Sequence, residues 1–133
     1  MRALCLIAAV LFAAPAVADD EYIGAEQCAA CHAEAYAWWK STAHARAGQA
    51  LNASEKRDPR CTSCHSTSTT LPDVQCEACH GPGRHYWPAF VMLDVHLARA
   101  AGLRSGGEPS TCNGCHTADA PGIRPFDLPA ALA

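Results

Sequence analysis

Large aliphatic side chains are scarce in this chain once its first 18 residues are set aside, and much of the 50% hydrophobic content is alanine. A domain of this size with so little Leu, Ile and Phe cannot build a stable core from its own side chains. Basic clusters are missing too. Lys and Arg number 10 against 13 Asp and Glu, and none are massed into a patch, which excludes nucleic acid as a partner. No apolar run approaches the roughly 20 residues of a membrane helix, so stable insertion into a bilayer is not expected. Period-two alternation does not persist anywhere, which argues against a sheet. No low-complexity segment stands out.

What is present begins with a start of a distinct kind. Arg2 is followed by the apolar run Ala3 to Ala14, then by Ala16-Val17-Ala18 and the acidic pair Asp19-Asp20. A positive start, a short apolar stretch and a small-x-small site read as a secretory signal peptide over residues 1–18, cleaved to leave a single domain over 19–133. The alternative, an uncleaved anchor, needs a longer run. Cys5 lies near the start of the apolar run, far from the cleavage site and so in the wrong place for lipidation, and leaves with the signal. Loss of Arg2 takes the formal charge from −3 to −4. An acidic secreted protein of this kind suits docking to a redox partner with a basic face.

The eight remaining cysteines fall into four pairs of identical spacing: Cys28/Cys31, Cys61/Cys64, Cys76/Cys79 and Cys112/Cys115. Each pair is followed at once by histidine: His32, His65, His80 and His116. Eight cysteines in a secreted chain also suit a disulfide framework, and paired Cys-x-x-Cys units suit zinc. Neither requires the histidine. With His at about one residue in twenty, four such coincidences have a chance on the order of 10⁻⁵ by composition. Covalent haem c does require it. Cysteines three apart lie on one side of a helical turn, so both sulfurs reach the two vinyl groups of one porphyrin. The adjacent imidazole then serves as proximal iron ligand. Four haems would also fill the interior that the aliphatic side chains leave short.

The expected fold is mostly α with extensive loops, a small multihaem cytochrome c domain organised around four covalent haems. The pattern predicts a helix from Glu26 to Trp39, and a second N-capped near Ser41 or Thr42 that carries His44. Asp58-Pro59 breaks the chain before the second motif, and Ser66 to Pro72 is a polar loop. Ten residues separate His65 from Cys76, which makes the second and third haems spatial neighbours. Gly81-Pro82-Gly83 stops the third motif. A further helix runs from Pro88 to Ala101 with Gly102 as its stop. Arg104 to Pro109 is a loop, and a Pro-rich tail begins at Ala120.

Three histidines lie outside the motifs. His44, His85 and His96 are candidate distal ligands, because each iron has a sixth position that His most often fills. Three for four haems leaves one iron five-coordinate and open to a small ligand. Met92, four residues before His96, is the other candidate, and reads better as a core methionine. Tyr36, Trp38, Trp39, Tyr86 and Trp87 read as packing against haem faces. Arg46 and Arg84 are candidates for propionate pairing or for plain solvation.

Two blocks carry a family resemblance. Tyr22-Ile23-Gly24, Cys28-Ala-Ala-Cys31-His32, Tyr36, Trp39, Ser41 and His44-Ala45 resemble the start of the cytochrome c-554 family. The block from Val74 through Cys76-Glu77-Ala78-Cys79-His80 to Gly81-Pro82-Gly83 is similar to it as well, as is the last motif followed by Phe126-Asp127. The resemblance implies a periplasmic tetrahaem electron carrier with haems stacked in pairs, three bis-histidine irons and one open iron, the second, at His65. It does not carry over the partner, since this chain is shorter than typical members. Electron transfer is therefore the expected function, with no catalytic residue. The alternatives are a haem enzyme acting on a small nitrogen compound at the open iron, or an electron-transfer subunit of a larger multihaem complex or filament. The absence of Lys in place of a motif histidine counts against a nitrite reductase type of site.

Overall fold

A computed structural model describes residues 19–117 and 126–132. The expected signal peptide, Cys5 and the start of the Pro-rich tail lie outside the described residues. Within them the chain forms short helices: α1 Ala25–Ala29, α2 Ala33–Ser41, α3 Pro59–His65, α4 Cys76–His80, α5 Ala89–Met92, α6 Val95–Ala100, α7 Pro109–Asn113 and α8 Leu128–Leu132. Three 3₁₀ segments join them, Asp19–Glu21, His44–Ala50 and Glu55–Arg57. Among the described residues there is no named strand, only isolated bridges from Ser66 to Pro72 and Asp73. No helix there is long and apolar enough to cross a membrane.

Helices are shorter than their sequence pattern implies, for local reasons. The run predicted from Glu26 to Trp39 breaks at His32, whose φ of −116° and ψ of 50° are not helical, and restarts at Ala33. The run predicted from Pro88 to Ala101 breaks at Asp94. Its carboxylate accepts from the backbone N–H groups of His96 and Leu97, so it caps a new helix in place of continuing the old one. Thr42 does not start a helix either. It ends α2, with its hydroxyl donating to the Trp39 carbonyl, and His44 opens a 3₁₀ segment. Gly102 follows α6 with φ 109°, the stop that the sequence implied.

Asp58-Pro59 proves to be a start as well as a break. Asp58 ends one 3₁₀ segment and N-caps α3, accepting from the Arg60 N–H at 2.9 Å, with Pro59 in the first turn. The cap orients the turn that carries the second cysteine pair.

The protein core is as thin as the composition requires. Apart from glycines, the buried side chains among the described residues are Ala25, Glu77, Tyr86, Val91 and Ala98. Tyr86, Val91 and Ala98 pack together, with Met92, Ala101 and Leu103 against them. Met92 is thus a packing residue here. Large apolar groups remain outside this cluster, with Leu93 90%, Phe90 75% and Trp38 72% exposed.

Asp58 is held at about 2, below its ordinary 3.8, first by the Arg60 side chain and then by the Arg60 backbone N–H. A depressed carboxylate stabilises the fold above its unfolded pKa and loses that contribution as pH falls. Denaturation of the haem-loaded protein should therefore find Asp58→Asn less stable than wild type near neutrality. That gap should shrink from pH ~4 downward and close near pH ~2.

Candidate haem attachment sites

Each cysteine motif wraps one turn, whether or not the surrounding helix continues. His32 N–H donates to the Cys28 carbonyl and His116 N–H to that of Cys112, both at 2.9 Å, although α1 and α7 have ended by then. The second and third motifs lie wholly within α3 and α4. All eight cysteines are free. Each turn therefore presents two thiols three residues apart and an imidazole directly after them.

The histidine rings are held in a way that suits iron. His65 Nδ1 lies 2.7 Å from the Ala47 carbonyl and His80 Nδ1 3.1 Å from that of Arg104. A carbonyl only accepts, so Nδ1 carries the proton and Nε2 keeps the lone pair. This is the arrangement by which a second-shell carbonyl orients a metal-bound imidazole. His80 is gripped further: Arg104 N–H donates back to the His80 carbonyl at 2.9 Å. His116 is held differently. Its ring stacks on Phe126 at 4.0 Å, and its buried Nδ1 has no partner among the described residues. The donor set fits covalent haem: paired thiols, oriented imidazoles, a core too thin to stand alone and large apolar side chains left uncovered.

The turns are brought together in an order that differs from the sequence. Cys28 of the first motif neighbours Cys76 of the third, and their interaction raises Cys28 and lowers Cys76 to about 7. Cys115 of the fourth donates to the Ser63 carbonyl of the second at 3.9 Å, and it is pushed up to about 11 by burial and then by the neighbouring Cys64. Burial also raises Cys79, with Cys112 the next contributor. Thioether formation would abolish these titrations, but the contacts behind them remain. They chain the motifs as first, third, fourth, second.

Of the spare histidines, His44 stands beside a motif. Its ring centroid is 6.0 Å from that of His116 with planes at 64°. Desolvation, and then the neighbouring His116, lowers the His44 pKa and favours the neutral imidazole. His85 is instead engaged by Glu21, Nε2 to Oε2 2.8 Å. His96 is exposed on α6. Arg46 and Arg84 donate to the Ser41 and Asp20 carbonyls. Trp39 donates to the Val74 carbonyl at 2.8 Å and faces Tyr36 at 5.5 Å.

Two contributors escaped sequence reading. Gly106 lies so close to His80 that a Cβ there would sit 2.8 Å from Cε1 and 2.9 Å from Nε2. A loop glycine gave no signal of this. Gln75 and Glu77 are the other case: the Gln75 side chain accepts from Ala25 N–H at 2.8 Å, and both Glu77 oxygens accept from the backbone before α1. Gly106→Ala must displace the His80 ring. It should alter the ferric spectrum of one haem per chain in electron paramagnetic resonance, leaving the others as in wild type.

Comparison with known proteins agrees with this arrangement. Residues 27–81 match the family described as Cytochrome c554 and c-prime. Cytochrome c-554 of Nitrosomonas europaea is 30% identical over 119 residues, covering 65% of this chain and 51% of its own length. The chain thus spans about half the length of the curated relative it matches. No solved structure matches. The matched segment contains the first three cysteine motifs, and over it this chain is similar to the cytochrome c-554 family.

Proposed function

We propose that the chain is a periplasmic electron-transfer protein whose residues 19–133 carry four covalent haems c. The eight cysteines form the thioethers, and His32, His65, His80 and His116 are the proximal ligands. Each haem iron supplies one-electron exchange between its ferric and ferrous states. The chain sets how near the centres lie and what surrounds them. The observation that carries this reading is the joining of the motif turns to one another: Gln75 and Glu77 at the third bind the entry to the first, and Cys115 of the fourth donates to the Ser63 carbonyl of the second at 3.9 Å, which sets attachment points side by side.

His44 is the distal partner of His116. Two imidazoles bound to opposite sides of one metal at about 2.0 Å have ring centroids on the order of 6 Å apart, and these two stand at 6.0 Å. His85 and His96 are the remaining distal candidates. One iron is left without an internal histidine and open to a small ligand. Redox partner proteins complete the scheme, with the acidic surface favouring a basic face.

Carbon monoxide added to the reduced protein should bind one haem in four. In His44→Ala it should bind two in four. Equal binding in both would remove His44 from the ligand set. The reduced protein should also pass its electrons to a one-electron oxidant and consume no nitrite, nitric oxide or hydroxylamine. Turnover of any of these would establish the enzyme reading in its place.

A further inference from the structure

Glu77 occupies an intervening position of the third motif, between Cys76 and Cys79, where a side chain has no part in attaching haem. It is nonetheless 1% exposed and is the largest fully buried side chain among the described residues. Both of its oxygens accept: Oε1 from Ile23 N–H at 3.0 Å and Gly83 N–H at 2.6 Å, and Oε2 from Gly24 N–H at 2.8 Å and Ile23 N–H at 3.2 Å. Three backbone donors on one carboxylate, two from the strand of chain entering α1 and one from the Gly-Pro-Gly turn, make a complete clamp.

The clamp lies at the start of α1, which carries Cys28. The N-cap of α1 is Gly24, which has no side chain to cap with. Glu77 and Gln75 provide the cap from 53 and 50 residues away, on Gly24 and Ala25 respectively. The helix of the first motif is thus capped by side chains of the third. Gly83 is required for the approach, since a Cβ there would lie 2.9 Å from both Glu77 Oε1 and the Ile23 side chain.

We infer that Glu77 is a positioning residue for a pair of redox centres: it fixes the haem at the first motif against the haem at the third and holds a negative charge beside both. This rests on the tetrahaem reading above. An oxidised haem iron carries one more positive charge than the reduced form, so a nearby carboxylate favours oxidation and lowers the potential. Glu77 stands on both sides of the junction, since it directly follows Cys76 in the chain and its carboxylate binds the Ile23 and Gly24 N–H groups at the entry to the helix of Cys28.

Haem content and spectroelectrochemistry of wild type, Glu77→Gln and Glu77→Asp test this. Wild type with fewer than four haems overturns the tetrahaem reading itself. With four haems in place, Glu77→Gln should move two of the four reduction potentials upward, leave the other two unmoved, and weaken the exciton couplet of the Soret band in circular dichroism. Glu77→Asp keeps the charge but shortens the reach, so it should weaken the couplet with a smaller change in potential. Four haems with unaltered potentials and couplet in Glu77→Gln would overturn the inference alone. If Glu77→Gln does not mature, Gln75→Ala decides. It removes the bonds to Ala25 and to the Pro72 carbonyl while leaving the Glu77 charge in place, and should weaken the couplet without moving any potential, whereas an unchanged couplet would overturn the inference.

Discussion

A carboxylate removed from water is costly unless hydrogen bonds replace its hydration. Glu77 meets that condition by binding the N–H groups of Ile23, Gly24 and Gly83, and the organisation of half the molecule follows. Its partners lie on two separate stretches of chain, so satisfying one side chain on α4 brings the entry to α1 and the Gly-Pro-Gly loop to the same place. Neighbouring bonds extend the junction. Gln75 caps Ala25, Arg84 N–H donates to the Glu21 carbonyl, and Tyr86 donates to the Gly81 carbonyl at 2.5 Å. Hydrogen bonds with backbone do here what aliphatic packing does in an ordinary domain.

The second motif is joined to this junction by comparable means. Val74, just before α4, donates to the His44 carbonyl, and Asp73 accepts from Gly48 N–H at 2.8 Å. Ala47 in the same 3₁₀ segment accepts from His65. The segment His44–Ala50 therefore touches three motifs: it orients the histidine of the second, adjoins the entry to the third and sets His44 beside His116 of the fourth. A chain that invests its short length in such cross-links can position several large cofactors without a thick protein core.

The four motif turns were legible in the sequence, because a Cys-x-x-Cys-His turn is a local device and its spacing fixes its shape. The helical, loop-rich character was legible for the same reason, together with the Gly102 stop and the packing role of Met92. Helix lengths were not. Asp94 and His32 look like interior residues in a periodic pattern, and only the structure reveals that one caps and the other kinks. The order of the motifs in space was not legible either. Ten residues between His65 and Cys76 keep the second and third motifs near each other, and the segment His44–Ala50 touches both, but nothing in the spacing announced that the third also meets the first and the fourth the second. The capping role of Glu77 was not legible, since nothing local signals that a side chain will cap a helix fifty residues upstream.

The central claim is that cofactor, held by eight thioethers, completes the interior of this chain. Intact mass of the protein recovered from the periplasm tests it most directly. The account predicts one species beginning at Asp19 and heavier than the polypeptide by four haems, all resistant to acid-acetone extraction. A species with fewer haems, with haem lost on extraction, or with cysteines paired as disulfides would contradict it.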